Sequence, residues 1–428
     1  MHTSRFVFLA PWLVLASAAV SAQTRTPIIS AVDVTVGARP AVVSIAGREY
    51  LVYELHVTNF RPSAITLTRV DVVDAARGTT VGGLSGEALS SQMARPGAPR
   101  DLADKRVVDS GLRAVVYFWL PLEKGQPKPS RLRHTIGLDV DRAGQRIPLV
   151  VSAAESEVRQ ERPLVLGAPL RGGPWVALYD PALMGGHRTA IYAVNGRARI
   201  PARFAVDFVR MLDNGTHARG DRTSIANWHG YGAAVLAVSD ATVVDAKGDI
   251  TESPSLEGSR TPIPLENASG NYVTLDLGDG RYAFYEHLKH GSIRVKAGDR
   301  VKVGDVIARL GNSGSSSSGP HLHFHVADAR EELAGEGVPF VFDSFEAVGT
   351  FDDVSDFTRG ERWNLMPPDA RGMRRAELPA PNSVIVFAGP SSVRPVQPGG
   401  SMTLHGKTLT LKYESGTHRS WAGTLPIP

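Results

Sequence analysis

Short runs of alternating apolar and polar residues, separated by turn-forming residues, cover the first third of the chain. Val, Thr and aromatic side chains dominate these runs, and no long segment with the 3.6-residue period of a helix competes with them. The clearest runs span 50–57, 64–73 and 114–120, and the first of them alternates imperfectly. We predict a β-sandwich accessory domain over residues 27–155, with a role in docking or spacing.

Residues 163–350 continue this pattern, and seven further strands are predicted there. They span 204–209, 233–238, 272–277, 282–288, 293–296, 306–310 and 321–326. Gly278-Asp279-Gly280 predicts a hairpin turn, because glycine adopts a positive φ at no steric cost. The segment 295–306 repeats a V-K-x-G-D unit every six residues, which predicts a tight meander in a barrel-like sheet. The fold class predicted for the whole chain is therefore all-β.

Two regions interrupt the alternation. Residues 251–271 are rich in Ser, Pro, Glu and Gly, which is typical of a long insertion and of a lid over a groove. Residues 351–428 form a C-terminal extension rich in Pro and Gly. One hairpin is predicted in it around Met402–Tyr413, with its turn at residues 405–407. We assign no chemistry to this extension.

The first 22 residues have the features of a secretory signal peptide. His2 and Arg5 precede a short apolar run, and Val20-Ser21-Ala22 offers a small-residue cleavage site. The apolar run is too short for a membrane span, and no later stretch is long and apolar enough for one. We expect a periplasmic or secreted protein with no integral membrane segment after signal removal; an uncleaved N-terminal anchor is the alternative.

The composition excludes several classes of partner and of metal ligand. The 428 residues include 47 basic and 43 acidic side chains, a net charge of +4 that indicates no nucleic-acid partner. There is no cysteine, which excludes disulfides, thiolate metal sites and cysteine nucleophiles. Any metal must therefore be bound by His, Asp or Glu.

Three of the 13 histidines fall within the five residues His321-Leu-His-Phe-His325. Side chains alternate along a strand, so the three imidazoles share one face while Leu322 and Phe324 point into the core. Asp207 lies among apolar residues at positions 204, 206 and 208, and should project away from the core. His287 ends another predicted strand, on the same face as Tyr285. A histidine-rich exposed strand without metal is the alternative.

Five sequence elements in this region resemble the signature of the lysostaphin/LytM-type zinc metallopeptidases. They are Tyr285-Glu-His-Leu288, Val295-Lys-Ala-Gly-Asp299, Val303-Gly-Asp-Val-Ile307, Gly311-Asn-Ser-Gly314 and Gly319-Pro-His-Leu-His-Phe324. The resemblance is collinear from residue 204 to residue 326, and the last two elements are the most specific. The V-K-x-G-D element also occurs in biotinyl and lipoyl carrier barrels, which have no use for His-x-His.

The resemblance implies a zinc endopeptidase that hydrolyses peptide bonds of peptidoglycan with a metal-activated water. By motif, Asp207 and His323 become zinc ligands, and His321 and His287 become the acid/base pair. The implied partners are peptidoglycan peptides and, through the N-terminal sandwich, other cell-envelope proteins. A catalytic zinc with three protein ligands lowers the pKa of its water to about 7, which suits imidazoles as proton carriers.

One position departs from the family pattern. The family's first ligand is the His of an H-x-x-x-D element, but Arg203 stands four positions before Asp207. Arginine has no lone pair to offer a metal. Three outcomes follow: a histidine from elsewhere completes the site, two protein ligands bind zinc more weakly, or Arg203 pairs with Asp207 in place of the metal. The candidate replacements are His187, His217 and His229, and His187 is favoured because its loop could enter beside Arg203.

The main rival hypothesis is a non-catalytic member of the same fold that binds peptidoglycan or regulates another envelope hydrolase. Arg203 is its principal support. A carrier barrel would need a modifiable lysine at a hairpin tip, whereas Lys296 and Lys302 precede their turns. The G-x-S-x-G and H-E-x-x-H motifs of other hydrolases are missing from the sequence.

Overall fold

The computed structural model describes residues 31–98, 102–179, 186–257, 263–314 and 319–387, and the backbone of three strands between 401 and 426. The predicted signal peptide lies outside the described residues, as do 258–262 of the predicted insertion and 406–407 of the predicted C-terminal turn. Among the described residues, no helix has the length and apolar character needed to cross a membrane.

The N-terminal part of the described chain is a two-sheet sandwich, as the alternating runs predict. Its elements are β1 (Val32–Val36), β2 (Ala41–Ile45), β3 (Arg48–Asn59), β4 (Ile65–Asp74), β5 (Thr80–Ser85), α1 (Gly86–Ser91), β6 (Met93–Ala94), β7 (Val107–Val108), β8 (Arg113–Pro121), β9 (Arg131–Arg142) and β10 (Gln145–Glu157). One sheet has the order β1-β3-β8-β6 with β2 beside β3, and the other has the order β10-β9-β4-β5 with β7 beside β4. Leu51 and Val116 from the first sheet and Leu67 and Ile136 from the second share one buried core.

A second, larger sheet follows. Its region contains β11 (Leu164–Leu166), β12 (Gly172–Leu178), η1 (His187–Thr189), β13 (Tyr192–Val194), β14 (Arg197–Arg199), β15 (Val206–Arg210), η2 (Ile225–Asn227), β16 (Ala234–Leu236), β17 (Ala241–Lys247), η3 (Leu265–Asn267), β18 (Asn271–Asp276), β19 (Tyr282–Leu288), β20 (Arg300–Val301), β21 (Val306–Arg309), β22 (Leu322–Ala327), η4 (Glu332–Ala334), β23 (Phe340–Thr350), α2 (Val354–Arg359), β24 (Asn364–Leu365), β25 (Gly372–Glu377) and β26 (Ser383–Phe387). Ten strands are ordered β11-β23-β26-β12-β15-β22-β19-β18-β17-β20, and β24 and β25 add to β23. The sheet is open rather than a closed barrel.

The predicted strand at residues 293–296 is wrong. In the described residues this segment belongs to no strand and ends in a turn, because the Lys296 amide donates to Asp299 Oδ2 at 2.9 Å. The next repeat of the V-K-x-G-D unit makes the same turn, from the Lys302 amide to Asp305 Oδ2 at 2.8 Å. Gly298 has a φ of +94°, so the glycine of this unit provides a backbone conformation that other residues adopt only with strain.

The sandwich packs directly against the large sheet. Ala41 and Val43 of β2 and Val52 of β3 belong to the same buried cluster as Trp175 and Phe342 of the large sheet. The backbone adds a link, since the Leu378 amide donates to the Ser44 carbonyl at 2.9 Å. The sandwich and the large sheet are therefore joined by a common apolar core as well as by the chain.

The C-terminal extension contributes strands to this sheet. β25 and β26 lie on either side of β23, and β26 also pairs with β12. Farther along, β27 (Ser401–His405), β28 (Thr408–Tyr413) and β29 (Trp421–Pro426) form a separate antiparallel sheet. The predicted hairpin corresponds to β27 and β28, and β29 adds a third strand.

Candidate metal centre

Asp207 lies at the middle of a cluster of imidazoles. β15 and β22 are neighbours, and their register places Asp207 opposite His323. Val206 and Phe208 are fully buried in the core, so Asp207 faces the other way, as the alternation predicts. Asp207 Oδ1 lies 2.9 Å from Nδ1 of His323 and 3.6 Å from Nε2 of His321.

His187 approaches the same carboxylate from the turn η1. Its Nε2 lies 3.1 Å from Asp207 Oδ2, and its ring meets that of His323 edge-on with 4.6 Å between centroids. The side chains of His187 and Asp207 remain 23% and 21% exposed, whereas His321 and His323 are buried. Solvent therefore reaches the cluster from the side of His187.

Arg203 points away from this cluster. Its Nε donates to Glu54 Oε2 at 2.8 Å, and its Nη2 donates to Glu336 Oε2 at 2.7 Å. The alternative in which Arg203 pairs with Asp207 in place of a metal is therefore wrong, because two other buried carboxylates neutralise the guanidinium. His187 occupies the position beside Asp207 instead.

The other two candidate replacement ligands lie elsewhere. His217 packs between Trp228 and Phe357, with ring centroids 4.6 and 5.1 Å away. Burial lowers the pKa of His217 to about 4, with Arg222 and His229 adding to the shift. His229 lines a separate cavity of about 250 Å³ beside Trp175 and Arg210. Neither belongs to a group of potential ligands among the described residues.

His287 reaches the cluster by a route that regular alternation does not predict. Its neighbour Tyr285 is in the core, and Phe284 stacks on His325 on the opposite face. The expectation that His287 shares a face with Tyr285 is therefore wrong. A register shift between β18 and β19 and a φ of +59° at His287 turn its side chain over, so that its ring lies 4.9 Å from that of His321. Such a bulge redirects a side chain at the end of a strand, at some cost in backbone strain.

Two backbone carbonyls set the orientation of the predicted acid/base pair. Nδ1 of His321 lies 2.8 Å from the Gly319 carbonyl, and Nδ1 of His287 lies 2.9 Å from the Ser313 carbonyl. A carbonyl accepts only, so Nδ1 carries the proton in both rings. The Nε2 lone pair of each neutral imidazole is then available for proton transfer.

The electrostatics of the cluster favour an ionised carboxylate at Asp207 and a neutral ring at His287. Burial would raise the pKa of Asp207, but His187 and His321 outweigh that effect and hold it well below its usual range. Burial lowers the pKa of His287 far below 6.5, and the neighbouring His321 and His323 lower it further. His187 is the exception: burial lowers its pKa, but Asp207 more than compensates and raises it.

Two further residues support His323 from behind. Its Nε2 lies 3.1 Å from His325 Nδ1, and Glu286 Oε1 lies 3.5 Å from that same His325 atom. Burial raises the pKa of Glu286 well above its usual value, and Glu332 adds to the rise. Strand alternation predicted the correct face for His325 but no role, and Glu286 was not among the predicted site residues. The signals were the third histidine of His-Leu-His-Phe-His and the acidic residue before His287.

The donor set fits a divalent metal. One ligand atom each from His187, Asp207 and His323 lies within 4.8 Å of the others. Two imidazole nitrogens and one carboxylate oxygen are the three-ligand set of many catalytic zinc sites. Without a metal, the ionised Asp207 can only accept, so Nδ1–H of His323 donates to it at 2.9 Å. For Nδ1 to bind a metal, the proton would sit on Nε2 instead, where Nδ1 of His325 lies 3.1 Å away and can accept it.

Comparisons with known proteins identify a peptidase profile in part of this chain. The sequence profile described as peptidase family M23 matches residues 225–334. An "uncharacterized metalloprotease" of Buchnera aphidicola subsp. Baizongia pistaciae is 35% identical over 95 residues, which is 22% of this chain and 20% of that protein. The chain thus spans about a fifth of the length of this curated relative.

Solved structures of low sequence identity also match. The catalytic domain of lysostaphin from Staphylococcus simulans is 22% identical, with 39% of this chain and 88% of that chain covered and a TM-score of 0.21. A putative peptidase M23 from Pseudomonas aeruginosa is 18% identical, with 62% and 91% covered and a TM-score of 0.24.

The profile match includes three of the clustered histidines, at positions 287, 321 and 323, and it begins after His187 and Asp207. Residues 225–334 of this chain form a domain of peptidase family M23.

Proposed function

We propose that this protein is a zinc metalloendopeptidase that hydrolyses peptide bonds of peptidoglycan in the periplasm or outside the cell. The observation that carries the proposal is the convergence of His187 Nε2 and His323 Nδ1 on the Asp207 carboxylate, at 3.1 and 2.9 Å. The peptidase family match supports the reaction type. The sequence motifs that resemble lysostaphin/LytM-type enzymes support the substrate class and the location.

His187, Asp207 and His323 would hold the metal. When bound, zinc supplies a Lewis acid that polarises the scissile carbonyl and lowers the pKa of the attacking water. Because the low pKa of Asp207 keeps its carboxylate ionised, that side chain offers the metal a negative charge across the neutral pH range.

His321 and His287 would move the proton. Each has Nδ1 fixed on a backbone carbonyl, so Nε2 accepts a proton from the attacking water and returns it to the departing amide nitrogen. The low pKa of His287 keeps that ring neutral at pH 7 and able to accept. General acid–base catalysis of this kind contributes about 10²- to 10⁴-fold to a rate.

The test combines metal analysis with cleavage of purified peptidoglycan. The purified full chain should bind close to one zinc and release cross-link fragments that mass spectrometry identifies. His321→Ala should keep the metal and lose about 10²- to 10⁴-fold in kcat/KM. Asp207→Asn should lose the metal together with the activity.

His290→Ala is the matched control, because His290 is an exposed histidine three positions after His287; it should change neither readout. Metal loss in His321→Ala would mean that its role is misassigned. A wild-type chain that binds peptidoglycan, but neither binds metal nor cleaves peptidoglycan, would support the non-catalytic alternative instead.

A further inference from the structure

A buried network of ion pairs joins the sandwich to the segment that carries two of the metal-binding side chains. Its centre is Glu54 on β3, which is fully buried. Glu54 Oε1 accepts from Nε of Arg188 at 2.9 Å, and Oε2 accepts from Nε of Arg203 at 2.8 Å. One carboxylate of the sandwich thus binds two guanidiniums of the peptidase region.

Arg188 directly follows His187, and its contacts are mostly with the sandwich. Its Nη2 donates to the carbonyls of Tyr53 and Phe118 at 2.8 and 2.6 Å. Its guanidinium also lies 5.4 Å from the ring centroid of Trp119. The side chain is only 3% exposed, so the turn η1 is fixed to the sandwich rather than to the sheet that carries Asp207.

Arg203 holds the other end of the same segment. Besides Glu54, its guanidinium donates to Glu336 at 2.7 Å and to the Gly337 carbonyl at 3.1 Å. It therefore fixes the chain just before β15, four positions from Asp207. Glu54 is the shared partner of both arginines, and without its charge two buried guanidiniums would face each other.

The contacts of His187 show why the attachment of Arg188 to Glu54 affects the metal centre. Its ring meets Asp207 and the edge of His323. Its own turn is a single 3₁₀ segment of three residues with two backbone hydrogen bonds, from Thr189 to Gly186 at 3.0 Å and from Ala190 to His187 at 3.3 Å. One such turn has little rigidity of its own. The position of His187 thus depends on the adjacent Arg188, and through it on Glu54.

We propose that Glu54 of the N-terminal sandwich is a positioning residue of the metal centre, which holds His187 in place through Arg188. The inference rests on the proposed function in one respect, that the centre binds a metal. The sandwich is then a structural part of the centre, in addition to any docking role.

The test measures metal affinity in the full chain by competition with a chromophoric chelator, and the absorption spectrum of the Co²⁺-loaded protein. Glu54→Gln should weaken zinc binding by about 10- to 100-fold, the usual effect of removing a group that orients a ligand. The Co²⁺ bands should shift because His187 is less well fixed. Hydrogen exchange should rise in residues 186–203.

Asp74→Asn is the matched control. Asp74 is a sandwich carboxylate that is 3% exposed and pairs with Arg77 at 2.6 Å, within the sandwich itself. This variant should lose stability and keep wild-type zinc affinity and Co²⁺ spectrum. If Glu54→Gln and Asp74→Asn shift affinity alike, the effect is general destabilisation and the inference is wrong.

Arg188→Gln provides a second route if Glu54→Gln fails to fold, because Glu54 keeps Arg203 as its partner. It should show the same loss of affinity and the same change in the Co²⁺ spectrum, and wild-type affinity in Arg188→Gln would overturn the inference. A wild-type chain that binds no metal would instead refute the proposed function, so the two failures are distinguishable.

Discussion

Two polar clusters, reached by Arg203 and Asp207 four positions apart on the chain, differ in what surrounds a carboxylate. Around Glu54 the partners are the guanidiniums of Arg188 and Arg203, with Glu336 as a second anion. Around Asp207 the partners are the imidazoles of three histidines. Guanidiniums keep their charge at every relevant pH, whereas imidazoles gain and lose protons near neutrality.

From this difference we expect the first cluster to stabilise the structure and the second to carry the proposed chemistry. The cluster around Glu54 pairs fixed opposite charges inside the protein, and it changes little with conditions. The cluster around Asp207 directs ring nitrogens of three histidines at one anion, and such an arrangement can bind a cation or exchange a proton. Arg203 and Asp207 stand four positions apart on the chain and belong to different clusters, so variants at these sites test the distinction directly.

The largest effect on folding is expected at Arg203. Arg203→Met leaves Glu54 and Glu336 buried with less compensation, and breaking a buried pair in this way costs about 3–5 kcal/mol of unfolding free energy. Asp207→Asn should cost less, because it leaves no uncompensated charge and keeps an oxygen towards His187 and His323. Chemical denaturation of the metal-free proteins measures both. Equal losses at the two positions would contradict the division into two clusters.

An intermediate effect is expected from a buried imidazole outside the centre. Burial lowers the pKa of His217 to about 4, so the unfolded chain binds a proton there before the folded chain does. Stability from this group is complete above pH 6.5 and is lost as the pH falls towards 4. The loss is on the order of 3 kcal/mol, from a shift of about 2.5 units at 1.36 kcal/mol each.

His217→Phe keeps an aromatic ring against Trp228 and Phe357 and removes the titration. Its unfolding free energy should therefore fall less between pH 6.5 and 4 than that of the wild type, as denaturation at a series of pH values would show. Zinc affinity should be unchanged. A loss of zinc in this variant would mean that His217 belongs to the centre after all.

The smallest effect is expected at His325, behind His323. His325→Phe keeps the stacking on Phe284, whose ring centroid lies 4.7 Å away, and removes the acceptor for Nε2–H of His323. Zinc affinity should fall about tenfold, which a chelator competition resolves. His325→Gln retains an acceptor and should lose less; equal affinity in all three proteins would exclude His325 from the support of the centre.

The sequence was most informative where a residue's environment depends on its own strand. Alternation predicted the orientation of Asp207 and of the histidines at positions 321, 323 and 325, because a strand has a fixed two-residue period. It failed at His287, where a bulge and a positive φ reverse the side chain. A histidine is more often found at positive φ than most residues, but one histidine at the end of a strand does not mark a bulge.

The ion-pair partner of Arg203 could not be predicted from the neighbouring sequence, for a different reason. Its partner Glu54 is 149 residues away and lies in another domain. One trace existed: the run 50–57 alternates imperfectly, and Glu54 is the charge that interrupts it. An acidic residue within an apolar run predicts a buried partner of opposite charge, but not which one.

The distance along the chain between His187 and Asp207 has a consequence for how such centres arise. The family spacing H-x-x-x-D separates the two ligands by four positions, whereas here they are 20 positions apart, with the hairpin β13–β14 between them. Closing a loop five times longer costs only about 1.4 kcal/mol of additional chain entropy. Insertions can therefore accumulate between two ligands of one metal. Homologous centres can then persist in chains that a search for a motif of fixed spacing would miss.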